Sequence, residues 1–287
     1  MKTIVKSILI LASLLVSLVF ASCSRIGSVS TASLRGNGDL VTKTIPCPEF
    51  TSVEVARCVE IRLVDEPAGQ ISVRADENVM PYVQITCDNK RLVATIDPAV
   101  NSISDITVEV VVPKNGQIKV LSASSAGRID AGDLAAEQRL KVKASSAAKI
   151  EGRFAVPELV VDASSAAKVS GGIVGSAVSI DGSSAAKIEL EVDAETVGAE
   201  ASSAAKIELK GRAASCKVSA SSSGKVDAGE LAVDNADARA SSGGKSVVCC
   251  SKLLKADASS GGKVDNRCRP EQADANASSG GSVHTGR

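Results

Sequence analysis

One short segment recurs along most of this chain, and its spacing limits what the chain can fold into. Residues 144 to 150 read ASSAAKI, and close or looser copies begin at Ala123, Ala163, Gly182, Ala201, Ala220, Ala240, Ala258 and Ala277. The basic residues of these copies are Arg128, Lys149, Lys168, Lys187, Lys206, Lys225, Lys245 and Lys263, with steps of 21, 19, 19, 19, 19, 20 and 18 residues. Such a regular period indicates stacked units that each bury an apolar face against their neighbours.

Each repeat has the alternation of short β-strands. Leu140, Val142 and Ala144 share one parity and Lys141 and Lys143 the other, before a corner of small residues. This pattern predicts two strands and a turn per repeat. We therefore expect an all-β fold, a single-stranded parallel β-helix (β-solenoid) with about 19 residues per rung and, from the bias of parallel crossovers, a right-handed path. An aromatic content of 1% fits a narrow tube filled with small aliphatic side chains.

The amino terminus has the features of an export signal. Lys2 and Lys6 precede an apolar run that ends in Ala21-Ser22-Cys23, so residues 1–22 are predicted to be a signal peptide. Residues 19–23 resemble the lipobox of bacterial lipoproteins, which implies a lipid anchor on Cys23. We expect a flexible tether at 23–40, irregular amino-terminal coils at 41–121 with a hairpin at Asp88-Asn89-Lys90, and regular coils of the same domain at 122–287.

The order of these features resembles a known family. A lipobox is followed by Phe50-Thr51-Ser52-Val53 and Val59-Glu60-Ile61, and then by serial Ser-Ser-Ala/Gly-x-Lys-Ile/Val-Asp/Glu units. This arrangement is similar to the putative auto-transporter adhesin, head GIN domain family (DUF2807-type) of Bacteroidetes, over roughly residues 45 to 285. The resemblance implies a β-helical fold and an adhesin role.

The sequence provides little for catalysis. Ser146-Ala147-Ala148-Lys149 spells the Ser-x-x-Lys motif of penicillin-recognising enzymes, but that chemistry needs the serine at the start of a helix. Here the motif is predicted at strand corners and is repeated along the tube, where its serines are expected to form hydrogen-bonded ladders. His284 is the single histidine, so neither a His/Cys zinc cluster nor a Ser-His-Asp triad can be assembled. We expect no catalytic residues and no cofactor.

Two columns of charge are predicted along the coils. The basic residues of the repeats should stack about 4.8 Å apart, and most have an acidic residue two positions later on the same face, as in Lys149 and Glu151. Self-neutralisation is therefore favoured over an anion-binding face, with Ser170 and Val247 as the exceptions. Asp162, Asp181 and Glu200 should stack as three acids, the one weak candidate for a metal site in a chain where none is expected.

Seven cysteines remain once Cys23 is assigned to the lipid. An odd number in an oxidising compartment leaves at least one free thiol or an intermolecular bond. Cys250 and Cys268 each lie five residues after a repeat lysine, so the repeat register predicts a disulfide between them in adjacent coils. Cys216 aligns with Leu140 and Leu159 and is predicted to be a buried core residue.

The function that best fits these features is that of a non-enzymatic, lipid-anchored cell-envelope solenoid with an adhesin-like binding or structural role. A lyase-like enzyme acting on polysaccharides is the alternative, and an ice-binding solenoid a weaker one. Expected partners are the membrane, a glycan or an envelope or matrix protein, and further copies joined through open coil ends. With 31 basic and 33 acidic residues after residue 22, nucleic acid is not expected. Residues 24–27 lack an acidic cluster, which favours an outer-membrane lipoprotein facing the periplasm over surface display.

Overall fold

A computed structural model describes residues 32–66 and 69–286, which consist mainly of β-strands with one short 3-10 helix at Met80–Tyr82. The amino-terminal strands are β1 (Ala32–Arg35), β2 (Leu40–Pro46), β3 (Ser52–Val55), β4 (Glu60–Val64), β5 (Gln70–Asp76), β6 (Val83–Asp88), β7 (Arg91–Ile96), β8 (Val100–Ser104) and β9 (Val108–Pro113). The strands of the repeats are β10 (Val120–Ala123), β11 (Arg128–Ala135), β12 (Leu140–Ala144), β13 (Lys149–Ala155), β14 (Glu158–Ala163), β15 (Lys168–Val174), β16 (Ala177–Gly182), β17 (Lys187–Ala201), β18 (Lys206–Ala220), β19 (Lys225–Ala240), β20 (Lys245–Ala258), β21 (Lys263–Asn266), β22 (Gln272–Ala277) and β23 (Ser282–His284).

The repeats form stacked parallel coils, which confirms the predicted β-solenoid. Lys149 pairs with Lys168, Lys168 with Lys187, and Lys187 with Lys206, so each coil lies directly on the previous one. The residues of one parity, such as Ile150 and Leu159, point into the tube and are fully buried. β17 to β20 are 14 to 16 residues long, because there the chain rounds one corner without leaving the strand. The handedness of the coil stays a prediction.

The recurrent serines form tight turns at the other corner. In the turn Ser145–Ala148, Ser146 and Ala147 both have positive φ (52° and 61°), and the amide of Ala148 donates to the carbonyl of Ser145 at 3.1 Å. This is the geometry of a type I′ turn, which normally favours glycine or asparagine because left-handed backbone costs other residues about 1–2 kcal/mol each. Here the amide of Ala147 also donates to the carbonyl of Ser165 in the next turn at 3.0 Å. The stacked turns therefore support one another through a backbone ladder.

The amino-terminal strands do not stack in chain order. β3 and β4 lie between two coils: β7 and β9 pair with them on one side, and β10 and β11 on the other, all in parallel. β5 then pairs antiparallel with β9 and β2 with β5, while β6 and β7 form the hairpin expected at residues 88–90. Residues 41–121 were predicted to be coils of the same solenoid. They instead combine two coils out of sequence order with three antiparallel strands.

The tether predicted at 23–40 is wrong for its described part. β1 pairs in parallel with β8, and Leu34 is buried in the hydrophobic core. The carboxylate of Asp76, itself only 2% exposed, accepts hydrogen bonds from the amides of Gly38 and Thr107, both at 2.7 Å. Residues 32–40 are therefore bound to the fold by strand pairing and by a buried carboxylate. The predicted signal peptide and the predicted lipid-anchor residue Cys23 lie outside the described residues.

Candidate functional site

The long sides of the solenoid carry columns of outward side chains, because equivalent residues of successive coils lie one above another. One column, called here the lysine column, consists of Arg128, Lys149, Lys168, Lys187, Lys206, Lys225, Lys245 and Lys263. The column two positions later, called the acidic column, consists of Asp130, Glu151, Ser170, Glu189, Glu208, Asp227, Val247 and Asp265.

These two columns neutralise each other over much of their length. Lys149 pairs with Glu151, Lys187 with Glu189 at 2.6 Å, and Lys225 with Asp227 at 3.0 Å. Where Ser170 interrupts the acidic column, Lys168 reaches up one coil to Glu189 at 3.1 Å.

Glu189 of the acidic column binds lysines from two coils. Hydrogen bonds from Lys187 and then Lys168 lower the pKa of its carboxyl, and the bond to Glu189 raises the pKa of Lys187. No ion pair within 4 Å is found among the described residues for Lys206, Lys245 or Lys263. Val247, which replaces the acid after Lys245, is buried.

The three acids considered for a metal do lie in one column. Asp162 pairs with Asp181 and Asp181 with Glu200 in adjacent coils. Lys141 contacts the Asp162 carboxylate at 2.8 Å and supplies an opposite charge from the protein itself. Within residues 32–66 and 69–286, no group of three or more His, Cys, Asp or Glu side chains is arranged to hold a metal ion.

The Ser-x-x-Lys segments lie at turns followed by strands, not on helices. Ser146 and Ala147 are exposed, and Lys149 begins β13. The expected ladder of serine hydroxyls is wrong: the hydrogen bonds that link successive turns join backbone amides and carbonyls, as between Ala147 and Ser165. The hydroxyls are left at the surface because the positive φ values turn the second serine outward.

Two similar concavities lie on the edge beside these turns. One of about 460 Å³ is lined by residues that include Lys143, Asp162, Asp181, Ser145 and Ser164. Another of about 490 Å³, several coils further along, is lined by the equivalent Arg239, Asp257, Asn276, Ser241 and Ser259. We call this recurrent site the serine groove. It combines hydroxyls with charges of both signs. The sequence singled out Lys143, Asp162 and Asp181 of this site without predicting that they line a groove.

A third concavity, of about 670 Å³, was not predicted from the sequence. It lies on the opposite strands of the coils, where its exposed apolar side chains are Ala135, Ala155 and Val174, while Phe154 and Ile173 beneath it are buried in the core. Its position coincides with Gly172, where an outward side chain is missing. The one sequence signal that could have indicated this concavity is the glycine that replaces a larger outward residue of the repeat at position 172.

The predicted disulfide between Cys250 and Cys268 is wrong: Cys268 bonds to Cys249, with a Cα–Cα distance of 4.7 Å. Strand pairing stops at Val248 and Asn266, so counting along the repeat no longer applies beyond them. Cys250 points into the core, and its amide donates to the Asn266 side chain at 2.9 Å. Because side chains alternate between faces, only Cys249 faces the loop that carries Cys268.

The other cysteines differ in accessibility. Cys216 is buried, as expected, and burial raises the pKa of its thiol to about 12. Burial also raises the pKa of Cys250 and of the half-buried Cys47. Cys58 is exposed. Since the thiolate is the reactive form, the buried thiols are chemically inert in the folded protein.

The comparisons with known proteins agree with this architecture. The family described as DUF2807, putative auto-transporter adhesin, head GIN domain, matches residues 49–184 and 164–270. The chain belongs to this family. A search of the curated proteins gives no match to this DUF2807 member. In the described part of the chain, no helix has the length and apolar character needed to cross a membrane.

Several solved structures share the fold of this family member. A putative adhesin from Parabacteroides merdae is 18% identical, with 88% of this chain and 98% of the other covered and a TM-score of 0.62. A putative lipid binding protein from Parabacteroides distasonis is 17% identical, with 88% of this chain and 98% of the other covered and a TM-score of 0.63. A putative adhesin from Parabacteroides distasonis is 18% identical, with 88% of this chain and 99% of the other covered and a TM-score of 0.62. At these identities the likeness shows the fold alone.

Proposed function

We propose that this chain is a non-enzymatic, lipid-anchored envelope protein that binds an extended glycan along the serine groove. The family and the solenoid fold support an adhesin-like role. The recurrence of one concavity along a single edge carries the proposal, because equivalent residues line both copies. A polymer longer than one coil would meet similar groups about every 4.8 Å.

The chemistry of the groove suits a polyhydroxylated partner. Serine hydroxyls both donate and accept hydrogen bonds, as sugar hydroxyls do. Lys143 and Asp181 add charged groups that strengthen such bonds. The aromatic content of 1% and the uniform short turns favour binding over the polysaccharide-cleaving alternative, because β-helical enzymes of that kind usually present aromatic platforms and long irregular loops.

An array of glycans and matrix proteins tests this proposal. We expect glycan binding that falls at least about tenfold in Asp181→Trp, since a bulky ring would fill the groove. Glu208→Trp places the same ring on an acid of the opposite strands and is expected to bind normally. Equal loss in both variants, or binding of matrix proteins alone, would refute the glycan assignment.

The lipid anchor is proposed from residues 1–23. Eight residues lie between Cys23 and Ala32 at the start of β1, which makes nine Cα–Cα steps, so the solenoid could stand at most about 32 Å from the lipid. Metabolic labelling with a fatty acid should mark the wild-type protein and leave Cys23→Ala unlabelled. Labelling of both the wild-type protein and Cys23→Ala would show that the lipid is attached to a residue other than Cys23.

We also propose that the anchored protein faces the periplasm from the outer membrane. Protease added to intact cells should then leave it uncut, and disruption of the outer membrane should expose it. Complete digestion in intact cells would establish surface display instead.

A further inference from the structure

Two half-buried thiols lie on the outermost strands at the amino-terminal end of the solenoid. Cys47 directly follows β2 and Cys87 belongs to β6, and both side chains pack against the hydrophobic core. Within the described residues, β2 pairs with β5 alone and β6 with β7 alone, so each is the edge strand of one face of the tube. A bond between the two cysteines would therefore join the two faces at this end.

Strand direction brings both thiols to the same corner of the tube. β2 is antiparallel to β5 and β5 to β9, so β2 ends at the corner where β9 ends. β6 is antiparallel to β7, so β6 ends where β7 begins, and the parallel strands β7 and β3 begin side by side. Residues 47–51 lead from the end of β2 to the start of β3 and cross this corner. Cys47 and Cys87 consequently reach the corner from opposite faces.

The connecting segment contacts both sulfur atoms. The Sγ of Cys47 lies 3.6 Å from the carbonyl oxygen of Pro48, and the Sγ of Cys87 lies 3.5 Å from the carbonyl oxygen of Glu49, the next residue. Burial raises the pKa of the Cys47 thiol, and the neighbouring Cys87 raises it further, because a second sulfur disfavours charge on the first. The two thiols are thus held beside the same two peptide groups.

The connecting segment can also move without loss of strand pairing. Cys47, Pro48 and Glu49 lie outside the strands, and Pro48 has no amide hydrogen to donate. The amide of Thr51 donates to the carbonyl of Lys90 at 2.8 Å and fixes the far end of the segment beside the turn between β6 and β7. A concavity of about 440 Å³ beside the segment leaves space for the small shift that a disulfide requires.

The geometry points to Cys47 and Cys87 as a pair that forms a disulfide in the folded protein. One thiolate of the pair attacks an external disulfide, such as that of a thiol–disulfide oxidoreductase, and displaces one thiolate from it. The other cysteine then attacks the mixed disulfide and displaces the rest. The Cys47–Cys87 bond forms, the external disulfide is reduced to two thiols, and these take up the two cysteine protons. The envelope location of the proposed function would supply such an oxidant.

The other free cysteines are not placed to compete for this pairing. Cys216 pairs with Ala236 of β19 and Cys250 with Val233 of the same strand, so β19 separates these two thiols by two coil steps, about 9.6 Å. That distance exceeds the Cα separation of a disulfide. Cys58 is exposed in the turn between β3 and β4, at the opposite corner of the tube. These three cysteines are expected to stay unpaired within one molecule.

The bond would close the amino-terminal end of the tube. An edge strand opens more readily than a central one because it has one partner, and a cross-link between β2 and β6 restricts that opening. The bond between Cys249 and Cys268 already fixes the loop after β21 near the other end. The solenoid would then have one covalent link near each end and stacked coils between them.

Peptide mapping of the purified, folded protein tests the pair directly. The reduced full chain is equilibrated with oxidised glutathione in native buffer, free thiols are alkylated, and the digest is analysed without reduction. We expect peptides linked through Cys47 and Cys87, with Cys58 alkylated or bound to glutathione. The Cys249–Cys268 link in the same digest is the internal control. Because no membrane or glycan is present, a negative result counts against the pair and not against the proposed function.

Amide exchange shows whether the bond holds the edge strands. Under oxidising conditions, amides of β2 and β6 should exchange at least about fivefold more slowly in the wild-type protein than in Cys87→Ser, because the cross-link restricts local opening. Cys58→Ser is the matched control and should exchange as the wild type does. Under reducing conditions the three proteins should exchange alike in β2 and β6, which separates the bond from any packing lost in Cys87→Ser.

Three results would overturn the inference. One is recovery of Cys47 and Cys87 as alkylated or glutathione-bound thiols while the Cys249–Cys268 bond is formed. Another is a link from either thiol to Cys58 or to a second molecule. The third is equal exchange in β2 and β6 of the oxidised wild-type and Cys87→Ser proteins.

Discussion

The fourth residue of the turn differs between the coils in the middle of the solenoid and the late coils. Ala148, Ala167, Ala186 and Ala205 are buried there, whereas the later turns have Gly224, Gly244, Gly262 and Gly281. A Cβ on Gly244 would overlap the carbonyl oxygen of Ala220. The later turns are therefore packed more closely than the earlier ones and have no space for a methyl group.

Replacement of Gly244 by alanine should destabilise the fold. We expect Gly244→Ala to lower the free energy of unfolding by about 1–3 kcal/mol, the usual cost of overpacking. Gly172→Ala, in open space, should change it by less than about 0.5 kcal/mol. Urea denaturation measures both. Equal stabilities would show that the late turns relax as freely as the surface at Gly172.

The carboxylate of Glu189 makes stability depend on pH. Its folded pKa is lowered from 4.5 by Lys187 and Lys168, so its contribution is present above pH 4.5 and is lost as the pH falls through the lower folded value. Since the site is partly exposed, Glu189→Gln should cost no more than about 1 kcal/mol at neutral pH and nothing in acid. Glu208→Gln, with no ion pair among the described residues, is the control. A Glu189→Gln deficit that persists in acid would contradict this origin.

At the scale of elements, β20 is joined to the loop after β21 by the Cys249–Cys268 bond. It closes a loop across 19 residues, for which chain entropy gives a stabilisation of about 3 kcal/mol. We expect Cys268→Ser to lose up to this amount and to show faster amide exchange in β22. Non-reducing peptide mapping should find Cys249 linked to Cys268 and Cys250 alkylated only after unfolding. A link between Cys250 and Cys268 would contradict the structure.

The repeat predicted these elements where it was regular and failed where it was interrupted. The spacing of Lys149 and Lys168 gave the register, since one period sets every contact in a stacked coil. Cys250 was misassigned because Asn266 inserts its side chain where pairing ends. The order of β7, β3 and β10 depends on long-range pairing that leaves no periodic signal. The concavity at Gly172 depends on a missing side chain, a feature of shape that alternation does not report.

At the scale of the molecule, the coils are nearly interchangeable units. Deletion of residues 187–205 removes one period and joins Ala186 to Lys206, which restores the natural Ala-Lys junction and places Lys168 beside Lys206. Because each coil contacts only its neighbours, the shortened chain should fold with a β-rich circular dichroism spectrum and cooperative unfolding. Deletion of residues 187–195 removes only part of one period and breaks the register, so that variant should not fold. Equal folding of both would contradict coil-by-coil stacking.

Binding without turnover is the central claim for the whole molecule. The most direct measurement is the chain length of a bound glycan, followed by size-exclusion chromatography during prolonged incubation with the protein. We predict saturable binding with the length distribution unchanged. Shorter fragments or new unsaturated ends would contradict the account and establish a polysaccharide-cleaving enzyme.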